Sequence, residues 1–124
     1  MSDFLSTFVE DMKANVNGFV AIAVTEVSTG MSFKSLSVDS AFDPELASAY
    51  NLEVVKAKLA AIKALGLKEK IEDIMITLSN QIHIISVSNS GEYFIYLAVD
   101  SSKANLGMAR AQLKKYSKEV EGKM

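Results

Sequence analysis

The single histidine of this 124-residue chain, His83, is the side chain best suited to acid–base chemistry. It lies between Ile82 and Ile84, and no acidic residue nearby in the sequence could orient it as part of a nucleophile–base pair. With one histidine and no cysteine, a multi-histidine or thiolate metal site cannot form within one chain. We therefore expect His83 to be a packed or solvated structural residue, and we expect no catalysis, no cofactor and no metal.

Three aspartates at predicted loops could contribute oxygen ligands for a cation. Asp39 and Asp43 bracket a short loop, and Asp100 follows the last predicted strand. Calcium loops need more oxygens at tighter spacing, so helix capping is the better interpretation. Asp43 stands directly before Pro44 and is the expected N-cap of a helix. The pair Glu72–Asp73 is expected to be a solvated strand end.

Basic residues near the C-terminus form no recognisable nucleotide-binding motif. The phosphate-binding patterns G-x-x-x-x-G-K and G-x-G-x-x-G are absent from the sequence. We expect Gly107 to allow the last helix to pack closely on the sheet. We expect Lys114, Lys115 and Lys118 to lie on the solvent-exposed side of that helix. Arg110 could form an ion pair or reach a partner, and an arginine finger for GTP hydrolysis is the alternative left open.

The composition is that of one ordinary globular domain, predicted over residues 1–124. Hydrophobic residues make up 49% and charged residues 23%, and the 15 acidic and 13 basic side chains give a net charge of −2. A broad basic surface for nucleic acid is therefore not expected. The longest apolar run, residues 19–24, is too short to cross a bilayer, and no basic N-terminal cluster indicates a signal peptide. We expect a cytoplasmic protein without membrane insertion.

Hydrophobic periodicity and turn residues predict three helices and five strands. Tight-turn sequences between consecutive strands indicate antiparallel pairing. The fold class is therefore α+β, with one five-stranded antiparallel sheet covered by helices on both faces. The predicted elements are a helix over 3–14, strands over 19–26 and 31–38, a helix over 44–65, strands over 72–78, 82–88 and 92–99, and a helix over 103–119.

The first two strands differ in their apolar patterns. In the first, Phe19, Ala21 and Ala23 are expected on one face, while the apolar residues between them point to the other, which predicts a central strand. In the second, the alternation slips between Phe33 and Leu36, which indicates a bulge or a sheet edge.

The helix over 44–65 has two apolar stripes on nearly opposite sides. One stripe contains Leu52, Val55, Leu59 and Ile62, as expected for a helix packed on a sheet. The other requires a second partner, for which a twofold copy of the same helix is the preferred explanation. The alternative is a mildly apolar, alanine-rich surface. The predicted dimer interface consists of Leu46, Tyr50, Val54, Ala57, Ala61 and Leu65.

Several segments in their order resemble one known family. They are the segment 17–24, in which Gly18 is followed by an apolar run, with Gly30 in the next turn, the long alanine-rich helix, the strand pair about Ser90–Gly91, and the hexamer 105–110, Asn-Leu-Gly-Met-Ala-Arg. With this order and spacing, residues 15–118 resemble the roadblock/LC7 family. The departures are confined to turns, at Ser28–Gly30 and Ser79–Gln81.

The resemblance implies a profilin-like α/β/α sandwich, with the central helix on one face and the two terminal helices on the other. It also implies a non-catalytic homodimer, joined through the central helix and an adjacent edge strand. Family members bind or regulate small Ras-like GTPases or serve in multiprotein scaffolds. The alternative is a PAS-like sensor in which Phe94, Tyr96 and Met75 line a small-ligand pocket.

Overall fold

The structure, a computed structural model, describes residues 2–123. The predicted number and order of elements are confirmed, and most bounds agree within two residues. No helix in residues 2–123 is long and apolar enough to cross a membrane. The elements are α1 (Ser2–Asn15), β1 (Phe19–Glu26), β2 (Ser32–Ser37), α2 (Pro44–Ala64), β3 (Asp73–Thr77), β4 (Gln81–Val87), β5 (Tyr93–Asp100) and α3 (Leu106–Lys123).

The five strands form one antiparallel sheet in the order β2-β1-β5-β4-β3. β1 and β5 occupy the centre, and both are buried along nearly their whole length. This agrees with their continuous apolar sequences, because a strand covered on both faces has no solvent side. β2 and β3 are the two edges and are only partly buried.

Helices cover both faces of the sheet, as predicted. Phe8 and Met12 of α1 and Leu113 of α3 pack with Ile84 and Leu97 of the sheet in one core cluster. On the opposite face, α2 contributes Leu52 and Val55 to a second cluster with Ile85, Phe94 and Tyr96. The α+β sandwich with the central helix on one face and the terminal helices on the other is therefore confirmed.

An irregularity in the pairing of β1 with β5 changes which residues share a face of the sheet. The register of β1 against β5 shifts between Phe19 and Ala21. Phe19 therefore packs with Ile22 in the α1/α3 cluster, and Val20 packs beside Ala21 on the α2 side. The predicted strict alternation from Phe19 is wrong for this reason, since one extra residue inverts the side-chain parity.

The predicted irregularity in β2 is confirmed both as a bulge and as an edge. Val24 pairs with Lys34 and Thr25 pairs with Ser32, which leaves Phe33 as the extra residue. The bulge brings Phe33 and Leu36 to the same face, where both pack against the α1/α3 cluster.

The last helix begins later than predicted. Lys103 and Ala104 donate backbone hydrogen bonds to Asp100 O in a turn that follows β5. Asn105 Oδ1 then accepts from Met108 N at 3.2 Å, so Asn105 caps the helix that starts at Leu106. The helix also continues to Lys123, beyond the predicted end at residue 119.

Candidate functional site

The predicted interface residues lie on the side of α2 that faces away from the sheet. Large apolar side chains there are open to solvent: Tyr50 is 73% exposed, Leu65 69%, Leu46 56% and Val54 38%. Ala57 is exposed, and Ala61 is half-buried. The outer stripe of α2 is defined by these six residues, Leu46, Tyr50, Val54, Ala57, Ala61 and Leu65.

The inner side of α2 holds the helix on the sheet. Leu52 and Val55 are buried, and Leu59 packs partly against the same cluster, as the first stripe predicted. Sequence reasoning missed Ser48, whose buried hydroxyl bonds to that of Thr25 on β1 at 2.5 Å. The position of Ser48, one turn before Leu52 on the same side, is the signal that could have found it.

Further exposed apolar residues follow α2 along the chain. Leu67 is 49% exposed in the connection to β3, and Leu78, directly after β3, is 47% exposed. β3 pairs with β4 in regular register on its inner side, and its outer side is a free sheet edge. Sequence reasoning did not identify which edge strand is the more open one. The bulge that distorts β2 and the absence of one in β3 make that distinction.

His83 lies in a small polar network on the α2 side of the sheet. Its Nδ1 is 3.2 Å from the hydroxyl of Tyr96, its Nε2 is 2.9 Å from Gln81 Oε1, and the ring of Phe42 packs edge-on against it. Burial lowers the pKa of His83 and raises the pKa of Tyr96 above its ordinary value. The polar partners of His83 are a hydroxyl and an amide oxygen rather than a carboxylate, so the arrangement is that of a packed residue.

The aspartates considered as cation ligands act as local hydrogen-bond acceptors. Asp43 Oδ1 accepts from the backbone N–H groups of Glu45 and Leu46 at 3.0 and 3.2 Å, which confirms it as the N-cap of α2. Asp100 Oδ1 accepts from the backbone and hydroxyl of Ser102, and these bonds lower the pKa of Asp100. Within residues 2–123, no cluster of three or more potential metal-ligating side chains is found.

Arg110 is held by an ion pair. Its Nε is 2.6 Å from Asp73 Oδ2 and its Nη2 is 3.2 Å from Asp73 Oδ1. Lys114 forms a second pair with Glu72 at 3.3 Å. The prediction of a solvated strand end is therefore wrong for Asp73, whose side chain is 21% exposed, whereas Glu72 is 76% exposed as expected. A guanidinium engaged by a carboxylate in this way is not presented as a free arginine finger.

Gly107 does not have the role predicted for it. It is exposed, and a Cβ atom at this position would meet only the side chain of Asn105, at 3.7 Å. Close packing of α3 on the sheet therefore does not require glycine here.

The residues of the predicted sensor pocket lie on two faces of the sheet. Phe94 and Tyr96 are fully buried beneath α2. Met75 is 38% exposed and pairs with Ile84, which belongs to the cluster on the opposite face. The three side chains therefore do not line one cavity, so the pocket predicted for the PAS-like alternative is not formed by these residues.

The helix order, the sheet order and the placement of α2 define a roadblock/LC7 fold. The structure superposes on a roadblock/LC7 domain from Streptomyces avermitilis with a TM-score of 0.75 at 12% identity, over 94% of this chain and 91% of that chain. No family model matches the sequence, and no curated protein matches it.

Two proteins of Myxococcus xanthus have similar structures. MglB superposes with a TM-score of 0.74 at 15% identity, over 92% of this chain and 79% of that chain. MglC superposes with a TM-score of 0.68 at 19% identity, over 100% of this chain and 100% of that chain. At these identities the similarity establishes the fold, and function has to be argued from surfaces.

Proposed function

We propose that the protein is a non-catalytic, homodimeric interaction module that regulates a small Ras-like GTPase or anchors a multiprotein scaffold. The observation that carries the proposal is the outer stripe of α2, which leaves Leu46, Tyr50 and Leu65 more than half exposed in the single chain. Contiguous apolar side chains of this size are uncommon on a free surface and are typical of interfaces.

The free edge of β3 supports a dimer that extends the sheet. Its backbone is in regular register, and it ends in the exposed Leu78. The other edge, β2, carries the Phe33 bulge and the charged Lys34, both of which oppose strand-to-strand pairing. In the proposed dimer, α2 packs on its copy and β3 pairs with its copy, so that one sheet runs through both subunits.

The regulatory role rests on the fold and on the family resemblance. Structures of MglB and MglC are among the most similar, and one MglB structure is described as a tetrameric arrangement. Small surface residues such as Ala57 and Ala61 would allow two helices to approach closely. The lack of an activated nucleophile around His83 supports a role through binding rather than through chemistry.

Light scattering on a size-exclusion column tests the dimer. We expect a mass near two chains that persists on dilution. The double variant Val54→Asp/Ala57→Asp should give a folded monomer, because two carboxylates would be buried against their copies. The matched control Ala49→Asp/Ala60→Asp makes the same charge change on exposed α2 positions outside the stripe and should remain dimeric.

A monomeric wild-type protein would overturn the dimer. The regulatory role has its own test, in which a purified small Ras-like GTPase from the same organism is mixed with the protein in its GDP and GTP-analogue states. We expect binding that depends on the nucleotide. Equal binding of both states, or none, would contradict regulation of the GTPase.

A further inference from the structure

A groove of about 930 Å³ lies between α3 and the segment that enters β3. One wall is α3 from Gly107 to Gly122, a length of about 22 Å at 1.5 Å per residue. The opposite wall is formed by residues 70–73 and by Ser86 and Val87 at the end of β4. We call this cleft the α3–β3 groove. Its walls belong to one chain, and it borders the proposed dimer interface at Asp73, the first residue of β3.

The α3–β3 groove is basic although the protein is acidic. The described charged residues that line it carry a net charge of +2, whereas the whole chain carries −2, so all other residues together carry −4. Basic charge is thus concentrated in one cleft and attracts acidic groups to it. The charged lining residues are Lys70, Arg110, Lys114 and Lys118, with Glu72 and Asp73.

Two of these cations are not neutralised by carboxylates. Lys70 Nζ donates to the side-chain amide oxygen of Asn89 at 3.2 Å, and Lys118 forms no ion pair with any residue of the described chain. The Lys114–Glu72 pair is 70% and 76% exposed, so it is weak and can open toward another anion. The groove therefore offers up to three lysines to an incoming acidic ligand.

The shape and lining favour a peptide chain over a compact metabolite. An opening of about 22 Å accommodates six or seven residues of extended chain at 3.3 Å per residue. The half-buried Ile71 and the exposed Ala111 provide apolar surface between the charged positions. Two carboxylates in the groove and the net charge of −4 elsewhere oppose a nucleic acid, whose phosphates require a broad basic surface.

We propose that the α3–β3 groove binds an acidic, extended segment of a protein partner, in which carboxylates alternate with apolar side chains. The carboxylates meet Lys70, Lys114 and Lys118, and the apolar side chains cover Ile71 and Ala111. This surface shares no residue with the outer stripe of α2, and it meets the β3 edge of the proposed dimer at Asp73.

Fluorescence anisotropy with a labelled peptide of four Glu-Leu repeats tests the proposal on the full chain. We expect saturable binding that weakens as salt is raised, because screening reduces the attraction between exposed charges. Lys114→Glu/Lys118→Glu should weaken binding about tenfold or more. The control Lys13→Glu/Lys103→Glu makes the same charge change at exposed sites outside the groove and should bind nearly as the wild type does.

Three results would overturn the proposal. One is no binding at about 1 mM peptide, the weakest affinity worth assigning. Another is an equal loss in the groove variant and in its control, with both folded by circular dichroism. The third is equal binding of a single-stranded oligonucleotide, which would indicate unspecific attraction of polyanions. The monomeric α2 variant Val54→Asp/Ala57→Asp should still bind the peptide, which separates this test from that of the dimer.

Discussion

The guanidinium of Arg110 grips the carboxylate of Asp73 through two hydrogen bonds, from Nε to Oδ2 at 2.6 Å and from Nη2 to Oδ1 at 3.2 Å. The contact joins α3 to the first residue of β3. β3 is an edge strand, and β4 is its one neighbour in the sheet. It therefore positions one end of the edge strand relative to the helix that packs over the sheet.

Removal of this ion pair should destabilise the protein only slightly. Arg110 is half exposed, so water and salt screen the attraction. We expect Arg110→Gln and Asp73→Asn each to lower the thermal midpoint a little, and the double variant to lower it by less than the sum. The difference between the sum of the two single effects and the effect of the double variant should decrease when salt is raised. A difference that does not decrease would contradict this electrostatic explanation.

Gly18 should tolerate alanine far less well than Gly91, although both have positive φ, +76° and +79°. The left-handed conformation costs an L-residue about 1–2 kcal/mol at either site. At Gly18 a Cβ would also meet the backbone oxygen of Asp100 at 2.9 Å, whereas nothing lies within 4 Å at Gly91. Urea denaturation should show Gly18→Ala to be clearly the less stable variant. Equal losses of unfolding free energy in the two variants would exclude a steric contribution from the contact with Asp100.

The buried hydroxyls of Thr25 and Ser48 should behave as a coupled pair. Both side chains are fully buried. Ser48→Ala or Thr25→Val alone therefore leaves the remaining hydroxyl without the hydrogen bond that joins the pair. Each single change should cost about 1–2 kcal/mol, moderated for Thr25 by its second contact with Ser32 at 3.2 Å. The double variant should cost less than the sum, and strict additivity in urea denaturation would disprove the coupling.

Stability should fall as the pH drops below the ordinary histidine pKa of about 6.5. Burial lowers the pKa of His83 in the folded state, so the unfolded chain binds the proton more tightly. The contribution of His83 is therefore complete above about pH 6.5 and is lost between that value and its lower folded pKa. Urea denaturation across this interval should show the slope in the wild type and a flatter profile in His83→Gln.

Local sequence patterns were sufficient for the elements and for the layers of this fold. Asp43–Pro44 marks the start of α2, and the apolar residues at both parities of β1 and β5 place these strands at the centre. The facial assignment of Phe19 failed because a bulge depends on the register with a distant strand, which no local pattern contains.

Of the candidate site, the residues within one helix could be predicted from the sequence, whereas contacts between distant segments could not. The outer stripe of α2 follows from helical periodicity within one segment, so its residues could be named in advance. The contact of Arg110 with Asp73 spans 37 residues of sequence and arises from how α3 crosses the sheet. Helical periodicity could place Ser48 on the buried side of α2, but no local pattern indicates the distant Thr25 hydroxyl that meets it.

The strand order has a consequence for how the chain acquires its structure. The β1–β2 hairpin and the β3–β4–β5 meander are each local in sequence, but β1 and β5 meet only across the middle of the sheet. The joining of these two units closes a long loop of chain, which is the entropically slow step for such topologies. During synthesis, the centre of the sheet therefore cannot form until β5 has left the ribosome, and until then the N-terminal hairpin must remain without its central neighbour.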